Sequence, residues 1–316
     1  MFLFQNVLFV AATLTVLLGT LYPLVVEAVS GAQLSIGSPY FDRVEMPIAL
    51  ALLFLMGVGP QLPWHGASRA TLERQFAAPV VTAAAGALLA VVLGLRGAAP
   101  VLGYALAAFV VATVVQEVMR GVRARRTLHG ETAAAALLNL FRRSGRRYGG
   151  YVVHVGIALI ALAVVSSQAQ AVDAEATLAP GGSMQVAGRT IVFDGFRDVA
   201  EPRRTQVVAD LRVLDGGAGA PIAAALTYYP NATGAIGSPG IRSSAGDDVY
   251  AILAAYDARS RAWATIQVKV IPLVSWLWIG GAVVGLGAVI AALPPARRRS
   301  AAVSGALPVG STVGAK

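Results

Sequence analysis

Long apolar runs alternate with short polar connectors through the first half of the chain. A segment of much shorter period follows, and one further apolar run closes the ordered pattern. A helix needs about 20 mostly apolar residues to cross the hydrocarbon core. Six stretches approach that length: 4–26, 46–63, 77–95, 99–119, 148–167 and 272–293. The second is the shortest and is bracketed by Pro47 and Pro60. The first has no basic leading region and no small-x-small cleavage site, and it runs on to Tyr22-Pro23. It therefore predicts a retained helix rather than a signal peptide.

Between the fifth and sixth runs, segment 168–271 reads as short alternating stretches broken by Gly, Pro and Asp. Strands are predicted over Thr190–Phe193, Thr205–Leu214, Ile222–Tyr229, Val249–Tyr256 and Trp263–Val270. Gly181-Gly182, Asp215-Gly216-Gly217 and Asp257-Ala258-Arg259 supply the turns. The predicted fold class is a membrane protein, predominantly α-helical, with about six transmembrane helices. An extracytoplasmic all-β domain, a small sandwich or barrel, is inserted before the last helix. The domains are then 1–167 (five spans and an Arg-rich cytoplasmic loop 120–147), 168–271 (β domain), 272–293 (last span) and 294–316, a basic tail of disordered composition.

Composition strengthens the membrane assignment: 56% of the 316 residues are hydrophobic and 13% charged, with a mean hydropathy of +0.67. The net charge of +9 would suit nucleic acid, but its distribution argues otherwise. Arg120, Arg123, Arg125, Arg126, Arg142, Arg143, Arg146 and Arg147 crowd one connector, and Arg297-Arg298-Arg299 follow the last run. That is the positive-inside pattern. It predicts a multi-pass protein with cytoplasmic N- and C-termini and an extracytoplasmic β domain, and no nucleic-acid partner.

Candidate chemistry is sparse, with no cysteine and three histidines in all. Thiol chemistry is excluded, and the β segment lacks histidine as well. His65 and His129 fall at or beyond the ends of apolar runs and read as solvated. His154 lies inside one, seven residues past Arg147, hence about 10 Å into the membrane from the cytoplasmic boundary. An ionisable side chain there is a functional hypothesis. Gly150 and Ala158, at i±4, put small residues on either side of the imidazole. They leave room for a flat macrocycle ligated by His154, or for a neighbouring helix to which His154 hydrogen-bonds; residue types alone leave both open. A bis-histidine haem needs a second imidazole at the same depth, which this sequence does not offer. Trp64, Trp276 and Trp278 read as an interfacial aromatic belt, and Trp263 as a β-domain core residue.

Several ordered motifs resemble the C-terminal half of the CcmF/NrfE family, the haem lyase subunits of System I cytochrome c maturation. They are Gly19-Thr20-Leu21-Tyr22-Pro23-Leu24, Ser35-Ile36-Gly37-Ser38-Pro39-Tyr40-Phe41, and Leu55-Met56-Gly57-Val58-Gly59-Pro60 with Trp64. Arg147 to Gly156 is similar to the family's histidine helix. Ile241-Arg242-Ser243 with Asp248-Val249-Tyr250, and Pro272 to Gly281, are similar to its closing segments. The resemblance runs from about residue 5 to 299. It implies a role in attaching haem to the Cys-x-x-Cys-His motif of apocytochrome c at the outer face of the inner (plasma) membrane. It also implies a permanent transmembrane haem b, with cofactor-binding residues His154, Gly150 and Ala158 and His154 as the metal ligand. The implied partners are an N-terminal lyase half with a Trp-rich external segment, a periplasmic haem chaperone, apocytochrome c and a thiol-reducing maturation subunit. The N-terminal half would supply the second haem histidine, and its motifs are not found here, so a split or truncated lyase inactive on its own is expected. Half of a permease and a membrane scaffold for the β domain are the competing classes. Few charged residues inside the apolar runs mark an ion path, Glu117 lying near the cytoplasmic end of its run.

Overall fold

The computed structural model describes residues 2–62, 68–215, 219–230 and 234–294. The helices are α1 (Phe2–Ser30), α2 (Ser38–Val58), α3 (Arg69–Val92), α4 (Ala98–His129), α5 (Ala133–Arg143), α6 (Gly145–Ala169) and α7 (Val274–Ala292), with a 3-10 turn over Gly59–Gln61 after α2. Five of them, α1, α3, α4, α6 and α7, are long and apolar enough to cross a membrane. The second predicted span differs. Its helix begins at Ser38 rather than 46, and its first turns carry Asp42, Arg43 and Glu45, so by length and composition it is not among those five.

The Arg-rich connector 120–147 is not a loop. The fourth apolar run continues as α4 to His129, where Gly130 adopts the left-handed conformation that closes a helix. Thr132 then caps α5, its hydroxyl accepting from the Ala135 amide, and α6 starts at Gly145. Arginines do not break helices; exposed, they lengthen them past the apolar boundary.

Among the described residues nine strands lie between α6 and α7: β1 (Val172–Leu178), β2 (Ser183–Val186), β3 (Arg189–Glu201), β4 (Arg204–Leu214), β5 (Ala220–Tyr228), β6 (Ile236–Ser238), β7 (Gly240–Ser243), β8 (Asp247–Tyr256) and β9 (Ala264–Pro272). They form two antiparallel sheets, ordered β1-β9-β8-β7 and β2-β3-β4-β5-β6. Alternate residues such as Ile191, Phe193, Leu211 and Val213 from one sheet and Leu253, Ile266 and Val268 from the other fill a common core, which makes the domain a sandwich. The strand predicted over Thr190–Phe193 runs on to Glu201 past a bulge at Gly195, whose φ of +150° suits glycine. Trp263 is not in the core; it precedes β9 and is 39% exposed.

The domain is pinned to α7 by backbone and side chain together. The Leu273 amide donates to the Gly246 carbonyl at 2.9 Å. Ser275 Oγ donates to the Ser244 carbonyl at 2.8 Å and Trp276 Nε1 to that of Ala245 at 2.9 Å. Trp276 thus has a structural partner besides its interfacial position, while Trp278 is exposed. Trp64, His65, part of the Asp215-Gly216-Gly217 turn, Arg297-Arg298-Arg299 and the remaining tail lie outside the described residues.

Candidate functional site

Helix α6 carries two opposed faces, and their chemistry is set by a seven-residue repeat of glycine. Gly149 and Gly156 recur two turns apart, on the same side of the helix. They meet Gly287 and Gly280 of α7 with backbones almost touching. A Cβ on Gly149 would lie 2.6 Å from the Gly287 carbonyl oxygen, and one on Gly156 2.7 Å from that of Gly280. The relation is reciprocal, since Cβ atoms on Gly280 and Gly287 would meet the Gly156 and Gly149 carbonyls at 2.8 and 2.7 Å. Such seams give helices in lipid the close packing that a hydrophobic effect does not supply there.

The opposite face, about half a turn away, presents Arg147, Tyr151, His154 and Ala158. It faces α4, and contacts at three levels align the two helices antiparallel. Tyr104 and Ser166 share a hydrogen bond of 2.7 Å at one end. Ala158 is fully buried with Leu53, Ala107 and Val110 in the middle. At the other end Glu117, 5% exposed, accepts from Arg147 Nη2 and Arg120 Nη1, each at 2.6 Å.

The Glu117 cluster extends in both directions. Arg147 Nε donates to the Tyr151 hydroxyl at 2.9 Å, and that hydroxyl donates to Glu117 Oε2 at 3.4 Å. Arg120 Nη2 donates to Gln61 Oε1 at 2.6 Å, while Gln61 Nε2 donates to the Thr113 carbonyl at 3.2 Å. Gln61, on the 3-10 turn after α2, is 2% exposed. Three segments are therefore joined by one buried carboxylate and its neighbours. The sequence offered Glu117 only as a lone acid near the end of an apolar run. Its partners Gln61 and Arg147 are distant in sequence, and only the acid-within-apolar pattern signals that partners are needed.

His154 sits one turn beyond Tyr151, the two ring centroids 6.4 Å apart at 58°. Its Nδ1 is enclosed and has no hydrogen-bond partner among the described residues. An interhelical hydrogen bond through that atom is thus not made within the described chain. Gly150, one turn back, faces open space, with nothing within 4 Å of the position its Cβ would take. Ala158 differs: its side of His154 is filled by α2 and α4, so the two small residues do not flank one common gap. His129 is exposed at the end of α4. Among the described residues no group of three His, Asp or Glu side chains is placed to hold a metal ion. The arrangement can offer a single imidazole nitrogen, beside an open flank, to a group ligated from elsewhere as well.

No family model matches the chain. It is 32% identical over 291 residues to the cytochrome c-type biogenesis protein CcmF of Pseudomonas fluorescens, covering 92% of this chain and 42% of that protein. It is 31% identical to CcmF of Pseudomonas aeruginosa (92% and 43%) and 28% identical to CcmF of Escherichia coli K12 (93% and 43%). Among solved structures, the cytochrome c heme lyase CcmF superposes with a TM-score of 0.72 at 28% identity, over 92% of this chain and 45% of that one. The chain thus spans less than half the length of these relatives.

Proposed function

Since the chain belongs to the CcmF/NrfE family of cytochrome c-type biogenesis proteins, whose C-terminal half it matches, we propose that it is the C-terminal half of a haem lyase and supplies His154 as one axial ligand of a transmembrane haem b. The carrying observation is the imidazole beside the open flank of Gly150: its Nδ1 is enclosed and unpartnered among the described residues, which leaves Nε2 as the nitrogen that would meet iron. Buried polar atoms are nearly always satisfied, and an exception calls for a missing ligand or partner. An aromatic macrocycle stacked against an unbranched glycine surface fits that flank. The Ala158 side, already packed, would bound it.

The haem, when bound, supplies an electron that keeps the transferred haem iron reduced. This chain's own residues hold and orient. The glycine seam with α7 fixes α6 in the membrane, the Tyr104–Ser166 and Glu117 contacts set its rotation against α4, and the two together aim His154. No side-chain nucleophile is called for in a chain without cysteine, and positioning is its contribution. A second haem ligand would come from a partner chain bearing the Trp-rich external segment. The complex receives haem from a periplasmic chaperone and delivers it to apocytochrome c, a thiol-reducing subunit maintaining the acceptor cysteines. The N- and C-termini face the cytoplasm of the inner membrane, and the β sandwich on the outer side docks one of these partners.

The test is a reduced-minus-oxidised absorption spectrum of the chain purified with its complementary half, as wild type and as His154→Ala. A b-type signal present in the wild type and lost in the variant is expected. An intact wild-type complex without haem would overturn the assignment, and unimpaired cytochrome c assembly with His154→Ala would favour a scaffold.

A further inference from the structure

Glu117 is a charged side chain held almost out of solvent at the membrane end of α4, where burial of a carboxylate costs several kcal/mol unless it is fully paired. Its two oxygens are separately occupied, Oε1 by Arg120 and Oε2 by Arg147, each at 2.6 Å, with the Tyr151 hydroxyl also directed at Oε2. Packing alone does not require such a group; hydrophobic replacements of buried ion pairs are often as stable. What it does fix is a direction. Arg147, Tyr151 and His154 follow one another at i, i+4 and i+7 on one face of α6. The anchored hydroxyl fixes the Tyr151 ring, whose centroid stands 6.4 Å from that of His154.

Resting on the haem reading above, we propose that Glu117 is the positioning residue of the His154 site and sets the electrostatic potential there. Through Arg147 and Tyr151 it fixes the rotation of α6 and the ring that neighbours the imidazole. Its charge also offsets one of the two guanidinium groups it binds, Arg147, about two helical turns from His154 on α6, and Arg120 on the facing helix α4. Removing the carboxylate would leave both guanidinium charges uncompensated on the Arg147 side of His154. The oxidised iron, carrying one charge more than the reduced, is the state they disfavour, so the midpoint potential rises.

The experiment uses the co-purified complex as wild type, Glu117→Gln, Glu117→Asp and Tyr151→Phe, measuring haem per polypeptide, the oxidised-state spectrum and the midpoint potential. Glu117→Gln is expected to raise the potential and alter the oxidised spectrum, with Glu117→Asp restoring both toward wild type. Tyr151→Phe is expected to alter the spectrum with a smaller change in potential. An unchanged or lowered potential in Glu117→Gln, with haem retained, overturns the proposal. If Glu117→Gln does not assemble, a wild-type spectrum and potential in Tyr151→Phe overturn it instead. Absence of haem from the assembled wild-type complex overturns the haem reading itself, and this proposal with it.

Discussion

Tyr228 on β5 and Tyr256 on β8 belong to opposite sheets, and their hydroxyls meet at 3.0 Å. The Tyr256 hydroxyl, with burial adding to it, pushes the Tyr228 phenol up to about 12, against an ordinary value of about 10. The folded state therefore holds the proton more tightly than the unfolded chain. The stability this contributes is fully present below pH ~10 and is lost as pH rises toward the folded value. NMR of protein carrying labelled tyrosine should show Tyr228 titrating near its raised value in the wild type and near the ordinary one in Tyr256→Phe. A Tyr228 that titrates alike in both would remove the inter-sheet hydroxyl pair as the cause. Single residues also divide what is legible in a sequence from what is not. His154 could be singled out because it alone of three histidines lies inside an apolar run. The Glu117 cluster could not be assembled, because only Arg120 lies a turn away on the same helix; Arg147 reaches Glu117, and Gln61 reaches Arg120, only after α2, α4 and α6 have packed.

Helix α6 is packed against α7 and α4 and open at the flank of Gly150, and paired substitutions separate seam from flank. Gly156→Leu drives a side chain into the Gly280 carbonyl and the Val284 side chain, an overpacking of about 1–3 kcal/mol or more. It should lower the thermal midpoint in detergent and loosen α7. Gly150→Ala meets nothing and replaces glycine in a helix interior, a gain of up to about 1 kcal/mol. A comparable loss of stability in both variants would refute the distinction between a packed seam and an open flank. Gly150→Leu adds a further reading: a folded protein with reduced haem is expected, since the bulk would enter the open flank rather than a packed seam. At this scale apolar length predicted most helices well, because a bilayer imposes a minimum run. It failed where charge and helix coexist: α2 begins among Asp42, Arg43 and Glu45, and the arginines after 119 extend α4 instead of ending it. The strands short of apolar residues escaped as well. β1, Val172–Leu178, alternates with Asp173 and Glu175 and becomes a strand by pairing with β9 along its whole length, a tertiary fact outweighing a modest local preference.

For the whole molecule, the two ends of the helical bundle differ in charge, and orientation follows from it. Arginines cluster where α4, α5 and α6 meet, while the sandwich occupies the other end of α6 and the start of α7. In the proposed orientation, which follows the positive-inside bias, the arginine end lies in the cytoplasm and the sandwich outside. The absence of cysteine makes this directly measurable, because any introduced thiol is the only one in the chain. Ser238→Cys on β6 and Arg126→Cys near the end of α4 both replace exposed residues. In spheroplasts, a membrane-impermeant maleimide should label Ser238→Cys at once and Arg126→Cys only after permeabilisation. The reverse order would invert the molecule and set the sandwich in the cytoplasm, away from any apocytochrome at the outer face. His154, lying closer to the arginine end of α6 than to the sandwich, would then sit in the outer half of the bilayer. Labelling thus tests more than topology: in the proposed orientation the haem held by His154 lies in the cytoplasmic half of the membrane. An electron from it would reach haem delivered at the outer face by crossing the outer half of the bundle.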